Sequence, residues 1–131
     1  MAFRFYNPNP LAIKKIDCSV RALCRVTGMT WDELHKETSD LSRMMGTMSV
    51  DNAAWGAFLR MRGWKRYAVP NSCPDCYTVR AFCWDHPWGY YVLCPSSHVV
   101  AAVDGDWFDI FDSGDEVLQY FWSKEELSNV W

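Results

Sequence analysis

The sequence predicts an α+β domain, with N-terminal helices packed on a C-terminal antiparallel β-sheet, and three observations lead there. Helix caps followed by apolar stripes crowd the first half of the chain, at Asp17, Thr30 and Ser49. Short alternating apolar runs crowd the second half. Within that half, Asp104-Gly105 lies between two such runs and is the dipeptide preferred by a tight two-residue hairpin, whose central residues both take positive φ. Helices and strands segregated along a chain belong to the α+β class rather than to a βαβ repeat.

The elements follow in order. Phe3 to Tyr6 alternates as a short strand, and two Asn-Pro pairs then initiate turns. Asp17 is placed to cap a helix from Cys18 to Thr27 that Gly28 ends. Thr30-Trp-Asp-Glu33 has capping-box spacing and starts a second helix to about Thr38, with His35 an ordinary surface or half-buried residue. Leu41 to Met48 reads as a loop whose Met44, Met45 and Met48 pack against the core. Ser49 caps a third helix, Val50 to Arg62, with Trp55, Phe58 and Leu59 on its apolar side and Gly63 at its end. Trp64 to Val69 and Gly89 to Leu93 read as strands, with a helix start capped by Thr78 between them. Val117 to Trp122 is a further strand, and Ser123-Lys-Glu-Glu126 is spaced as the capping box of a short C-terminal helix.

A chain of 131 residues suits one domain covering 1–131, and no repeat or linker divides it. Eight Trp, seven Phe and six Tyr imply a bulky core, a peptide-binding cleft, or both. The net charge of −3 and pI near 5.5 argue against nucleic acid as a partner, since a phosphate-backbone binder usually shows a basic face and a pI above about 9. No apolar run approaches a membrane span, and MAFRFYNPNP lacks a signal-peptide core, so the expectation is no membrane and a cytoplasmic location. There the six Cys stay mostly reduced, available for catalysis, metal binding or packing.

Two stretches carry chemistry. In IDCSVRALCRVTG, a helical projection at about 100° per residue gathers Val20, Leu23, Cys24 and Thr27 on one face and sends Cys18 to the other. Packing explains Cys24 and leaves Cys18 unexplained. A thiol in the first turn of a helix feels the positive end of the dipole, which favours the thiolate. The second stretch, HVVAAVDGDWFDIFD, is the predicted hairpin. A two-residue turn sets His98 opposite Phe111 and makes Asp109 its diagonal neighbour on the same face, about 7 to 8 Å away between backbones. One more loop residue would set Asp112 opposite His98 instead. An imidazole held by a carboxylate is half of a nucleophilic site, and Cys18 is the candidate nucleophile.

A rival signal is metal. Cys73-Pro-Asp-Cys76 followed by Cys83-Trp-Asp-His86 could complete a tetrahedral zinc site, although only six residues separate Cys76 from Cys83. The blander reading makes Cys83 and Cys94 core thiols and His86 a helix-end residue, with no metal and no cofactor. A redox role for Cys73-Cys76 lacks the surrounding βαβ pattern. The acidic cluster Asp104, Asp106, Asp109, Asp112 and Asp115 lacks the spacing of a calcium loop.

An early Cys on a helix, a distant His leading an apolar strand, and an acid on the next strand resemble the papain-like cysteine peptidases. His98-Val-Val-Ala-Ala-Val is similar to the family's His strand, and Asp109-Ile-Phe111 to its Asn-Ser-Trp. DCSVRAL and DWFDIFDSGDEV resemble small papain-like proteins of bacteria and their phages. The resemblance implies a papain-like fold and a cysteine peptidase or isopeptidase of a bacterial or phage-infected cell, acting on a peptide or protein substrate. Its triad is Cys18, His98 and Asp109, with Asp112 the alternative orienting residue. The oxyanion hole is the Cys18 backbone N–H plus a side chain. The family places a Gln for this six residues before the nucleophile. Here that position is Ala12, and Asn7 or Asn9, preferably Asn9, is the substitute. The non-enzymatic alternative is a binding or inhibitor protein on the same scaffold.

Overall fold

The structure, a computed structural model, describes residues 1–14, 17–70 and 74–125. The protein is α+β, and its strands form one mixed sheet. Helix α1 (Cys18–Thr27) starts and stops as expected, closing on Gly28 at φ 77°. Asp17 occupies the N-cap position without a side-chain cap bond, because its carboxylate is engaged elsewhere. Helix α2 (Trp31–Met45) has the complete Thr30/Glu33 capping box and runs a further two turns beyond Thr38, so 41–45 are helical rather than loop. No Gly or Pro interrupts it before Gly46, and the Lys36–Asp40 pair supports an exposed face at 2.7 Å. Helix α3 (Asn52–Met61) is capped by Asp51, not Ser49, through a carboxylate that accepts from the Ala53 N–H at 2.9 Å. Helix α4 (Val79–Asp85) is capped by Thr78.

The strands are β1 (Phe3–Phe5), β2 (Lys65–Ala68), β3 (Tyr90–Pro95), β4 (Val100–Val103), β5 (Asp106–Asp109) and β6 (Leu118–Ser123), in the order β1-β5-β4-β3-β6-β2. The expected antiparallel, C-terminal sheet needs two corrections. β1, from the N-terminus, pairs in parallel with the otherwise open edge of β5, and β2, from the middle of the chain, forms the other edge. The Ala2 N–H and the Arg4 side chain both reach the Asp106 carboxylate, which pins β1 in that register. The predicted C-terminal helix depends on Glu126, which lies outside the described residues.

The two central strands are buried on both faces. Val92, Cys94, Ala101 and Trp122 cluster with Leu23, Cys24, Phe58 and Leu59. Tyr91, Leu93, Val100, Ala102 and Phe121 cluster on the other face with Val79, Phe82 and Cys83 of α4. Alternate residues of β3 and β4 thus feed two separate cores, as the period-2 geometry of a strand requires. Helix α1 lies against β4 and touches β3 and β5, which brings its first turn to the end of the hairpin.

Candidate active site

The hairpin sets the geometry. Asp104 and Gly105 both take positive φ, 50° and 83°. The register is that of a two-residue turn, with Val103 opposite Asp106 and Ala101 opposite Phe108. His98 stands just before β4 and Asp109 ends β5, so the carboxylate meets the ring: Asp109 Oδ2 lies 2.6 Å from His98 Nε2. Phe111 stacks on the same imidazole, ring centres 5.1 Å apart. Asp112 is turned away, accepting from the Trp107 indole at 2.9 Å and the Gly114 N–H at 3.0 Å.

Asp109 is 2 % exposed, and a buried carboxylate stays ionised only if its oxygens are satisfied. Burial works to raise its pKa. Hydrogen bonds from His98, the Ser113 hydroxyl and the Ile110 N–H, with the charge of His98, outweigh it and leave the group below the ordinary value. The Ser113 bond measures 2.8 Å and the Ile110 bond 2.8 Å. Arg21, also buried, places one guanidinium nitrogen 3.3 Å from Asp109 and another on Asp17. Asp17 in turn accepts from the Trp31 indole at 3.0 Å. A chain of polar contacts therefore runs from Trp31 through Asp17, Arg21 and Asp109 to His98.

Cys18, the first residue of α1, completes it. Its thiol lines the same cleft as His98 and Val99, close enough for the His98 ring and the Val99 N–H to act on its ionisation. Nε2 is taken by Asp109, which leaves Nδ1 as the ring nitrogen free to serve the thiol. Burial pushes the Cys18 pKa up, but the His98 bond and charge, the Val99 N–H and the charge of Arg21 together bring it below its ordinary value. Burial pulls His98 down, and its bonds to Asp109 and Cys18 reverse that, raising it to about 9. Both shifts run in the direction of the thiolate–imidazolium form. Burial drives the thiols of Cys24, Cys83 and Cys94 the opposite way, each to about 12.

Cys18 and His98 share a cleft of about 260 Å³ whose walls include Ser19, Asn52, Trp55, Gln119 and Tyr120. A larger hollow, lined by Val26, Met29, Arg62, Trp64 and Tyr90 among others, contains none of these groups, and its size gives no chemical reason to prefer it. Asn9 is not on the cleft wall. Its amide nitrogen lies 3.5 Å from Asp17, and its oxygen accepts from the Leu11 N–H at 2.9 Å. Asn7 reaches the Ile13 carbonyl at 3.4 Å. Ala12 takes a left-handed φ of 55° in the same turn.

The zinc alternative involves Cys73, Cys76, Cys83 and His86. Cys73 lies outside the described residues, Cys76 is exposed, and Cys83 is fully buried. His86 stacks on Phe82 with ring centres 4.0 Å apart and places Nδ1 3.0 Å from the Phe82 carbonyl. Among the described residues, no group of three or more His, Cys, Asp or Glu is placed to hold a metal ion.

Sequence reasoning missed Arg21, Ser113 and Asn52. Asp17 and Arg21 carried a signal in their i, i+4 spacing, whereas the partner of Arg21 on β5 lies 88 residues away. Comparison of the chain with family models, with curated proteins and with solved structures gives no match.

Proposed function

We propose that the chain is a thiol-dependent acyl-transfer enzyme, a cysteine peptidase or isopeptidase of papain-like arrangement. One observation carries the reading: Cys18 and His98 line one cleft with Asp109 bonded to the His98 ring, in a protein whose three buried thiols are pushed toward the protonated form. The Cys18 thiolate attacks the carbonyl carbon and forms the C–S bond, and the carbonyl electron pair moves to oxygen. His98, as imidazolium, delivers its proton to the leaving amine as the C–N bond breaks. It then takes a proton from the water that hydrolyses the thioester. Asp109 keeps the ring oriented and stabilises its charge without itself accepting the proton. The Cys18 N–H, at the first helical position and so without an intrahelical partner, faces the developing oxyanion. The reading implies a peptide or protein substrate in the cytoplasm of a bacterial or phage-infected cell, and it needs no cofactor. The rival, a binding or inhibitor protein on the same scaffold, is favoured by one feature: Asn9 is turned to Asp17 rather than to the cleft.

The test is turnover of a mixed fluorogenic peptide library by the wild type, Cys18→Ala, Asp109→Asn and Asp112→Asn. Cys18→Ala should abolish turnover. Asp109→Asn should lower it by about four orders of magnitude, the size seen when a triad imidazole loses its carboxylate. Asp112→Asn should stay near wild type, because its carboxylate serves the Trp107 indole. Turnover surviving in Cys18→Ala, or a larger loss from Asp112→Asn than from Asp109→Asn, would contradict the assignment.

A further inference from the structure

A carbonyl attacked by Cys18 becomes an oxyanion, and enzymes stabilise such a charge with N–H donors fixed before the reaction. The Cys18 backbone supplies one, and the cleft wall shows where a second comes from. Asn52 and Trp55 both line the cleft with Cys18 and His98. The Trp55 indole, which can only donate, gives its hydrogen to Asn52 Oδ1 at 3.1 Å. Trp55 is 1 % exposed, so the core holds the indole and the indole holds the amide. That bond fixes which end of Asn52 is which. Oδ1 is spent on Trp55, and the two hydrogens of Nδ2 remain for the cleft.

The neighbouring carboxylate does not compete for this amide. Asp51 accepts from the Ala53 N–H at 2.9 Å and from the Thr47 hydroxyl at 2.6 Å. Gln119 also lines the cleft, and like Asn52 it is exposed, but it has three torsions to order at the moment of reaction. Asn52 has fewer torsions and an anchored oxygen. Building on the acyl-transfer reading, we propose that Asn52 is a further catalytic residue whose Nδ2 donates to the oxyanion beside the Cys18 N–H, with Trp55 as the positioning residue that orients it.

The experiment follows Cys18 by intact mass with two probes. p-Nitrophenyl acetate acylates the thiol through a tetrahedral oxyanion, losing p-nitrophenolate. Iodoacetamide alkylates it by displacing iodide at a methylene carbon, so no oxyanion forms. Asn52→Asp keeps an acceptor for Trp55 and removes the donor, and Asn52→Ala removes both without adding a charge. Both variants should acylate about 10²–10³-fold more slowly at saturating ester. Their alkylation rates, read at the plateau of a pH series where the thiolate is fully formed, should stay within about twofold of wild type. Acylation at the wild-type rate in both variants would overturn the assignment of Asn52, as would equal losses of acylation and alkylation. A wild type that alkylates at Cys18 but is never acylated there would overturn the acyl-transfer reading and the assignment together.

Discussion

Cys18 and His98 hold one proton between them, and their opposite shifts leave a signature in stability. The His98 pKa is raised from 6.5 to about 9 in the folded protein. Its contribution is therefore complete below pH 6.5 and is lost as the pH rises toward 9. The Cys18 pKa is lowered from 9.0, so its contribution is lost as the pH falls through the folded value and is complete above 9. As the pH rises toward 9 the two contributions change in opposite directions, so each offsets part of the other. Wild-type Tm, apart from other groups, should fall less between pH 6.5 and 9 than that of Cys18→Ser, which keeps the His98 contribution alone. Parallel curves from calorimetry at a series of pH values would show that the two groups do not share a proton. Cys18 stood out in the sequence because it leaves the apolar stripe of its helix. Arg21 did not, since an arginine in a helix ordinarily reads as a solvated charge, and only the tertiary approach of Asp109 makes it a buried one.

The hairpin was the most legible element and α2 the least. Two adjacent residues in left-handed conformation specify one turn, the turn specifies the register, and the register puts Asp109 rather than Asp112 on His98. The length of α2 was hidden because Ser39, Ser42 and the methionines interrupt its apolar pattern. The structure accommodates them within the helix: Ser42 is buried with its hydroxyl 2.8 Å from the Ser39 carbonyl, while Met44 is exposed. The start of α3 was misplaced by two residues because Ser49 and Asp51 are both good caps and only geometry chooses between them. Gly105 tests the hairpin. It sits at φ 83°, and a Cβ there would meet Met1 Cγ at 3.3 Å and the Pro87 backbone at 3.4 Å. Gly105→Ala should lower stability by about 1–2 kcal/mol, the penalty of left-handed backbone for an L side chain. Urea unfolding should show this as a lower midpoint at unchanged slope. An unchanged midpoint would mean that the turn tolerates a side chain and does not fix the register.

Across the whole molecule, the class and the strand-rich second half were legible because hydrophobic periodicity is local. The sheet order was not. Nothing in Phe3-Arg4-Phe5 indicates a parallel partner a hundred residues on, and that pairing is settled by the Asp106 carboxylate gathering the Ala2 N–H and Arg4. Nor could the sequence show that β3 and β4 divide their side chains between two cores, since a strand buried on both faces reads as an unbroken apolar run. What the fold achieves at this scale is a meeting of the first turn of α1 with the open end of the hairpin, and the central claim is that this meeting makes one thiol reactive. Limiting iodoacetamide at pH 6 tests it most directly, because an ordinary thiol of pKa about 8.5 is then only about 0.3 % ionised. We expect fast modification at a single site, Cys18, and loss of that reaction in His98→Ala, with Cys24, Cys83 and Cys94 silent in both. Slow labelling spread over several cysteines, or fast Cys18 labelling that survives His98→Ala, would contradict the account.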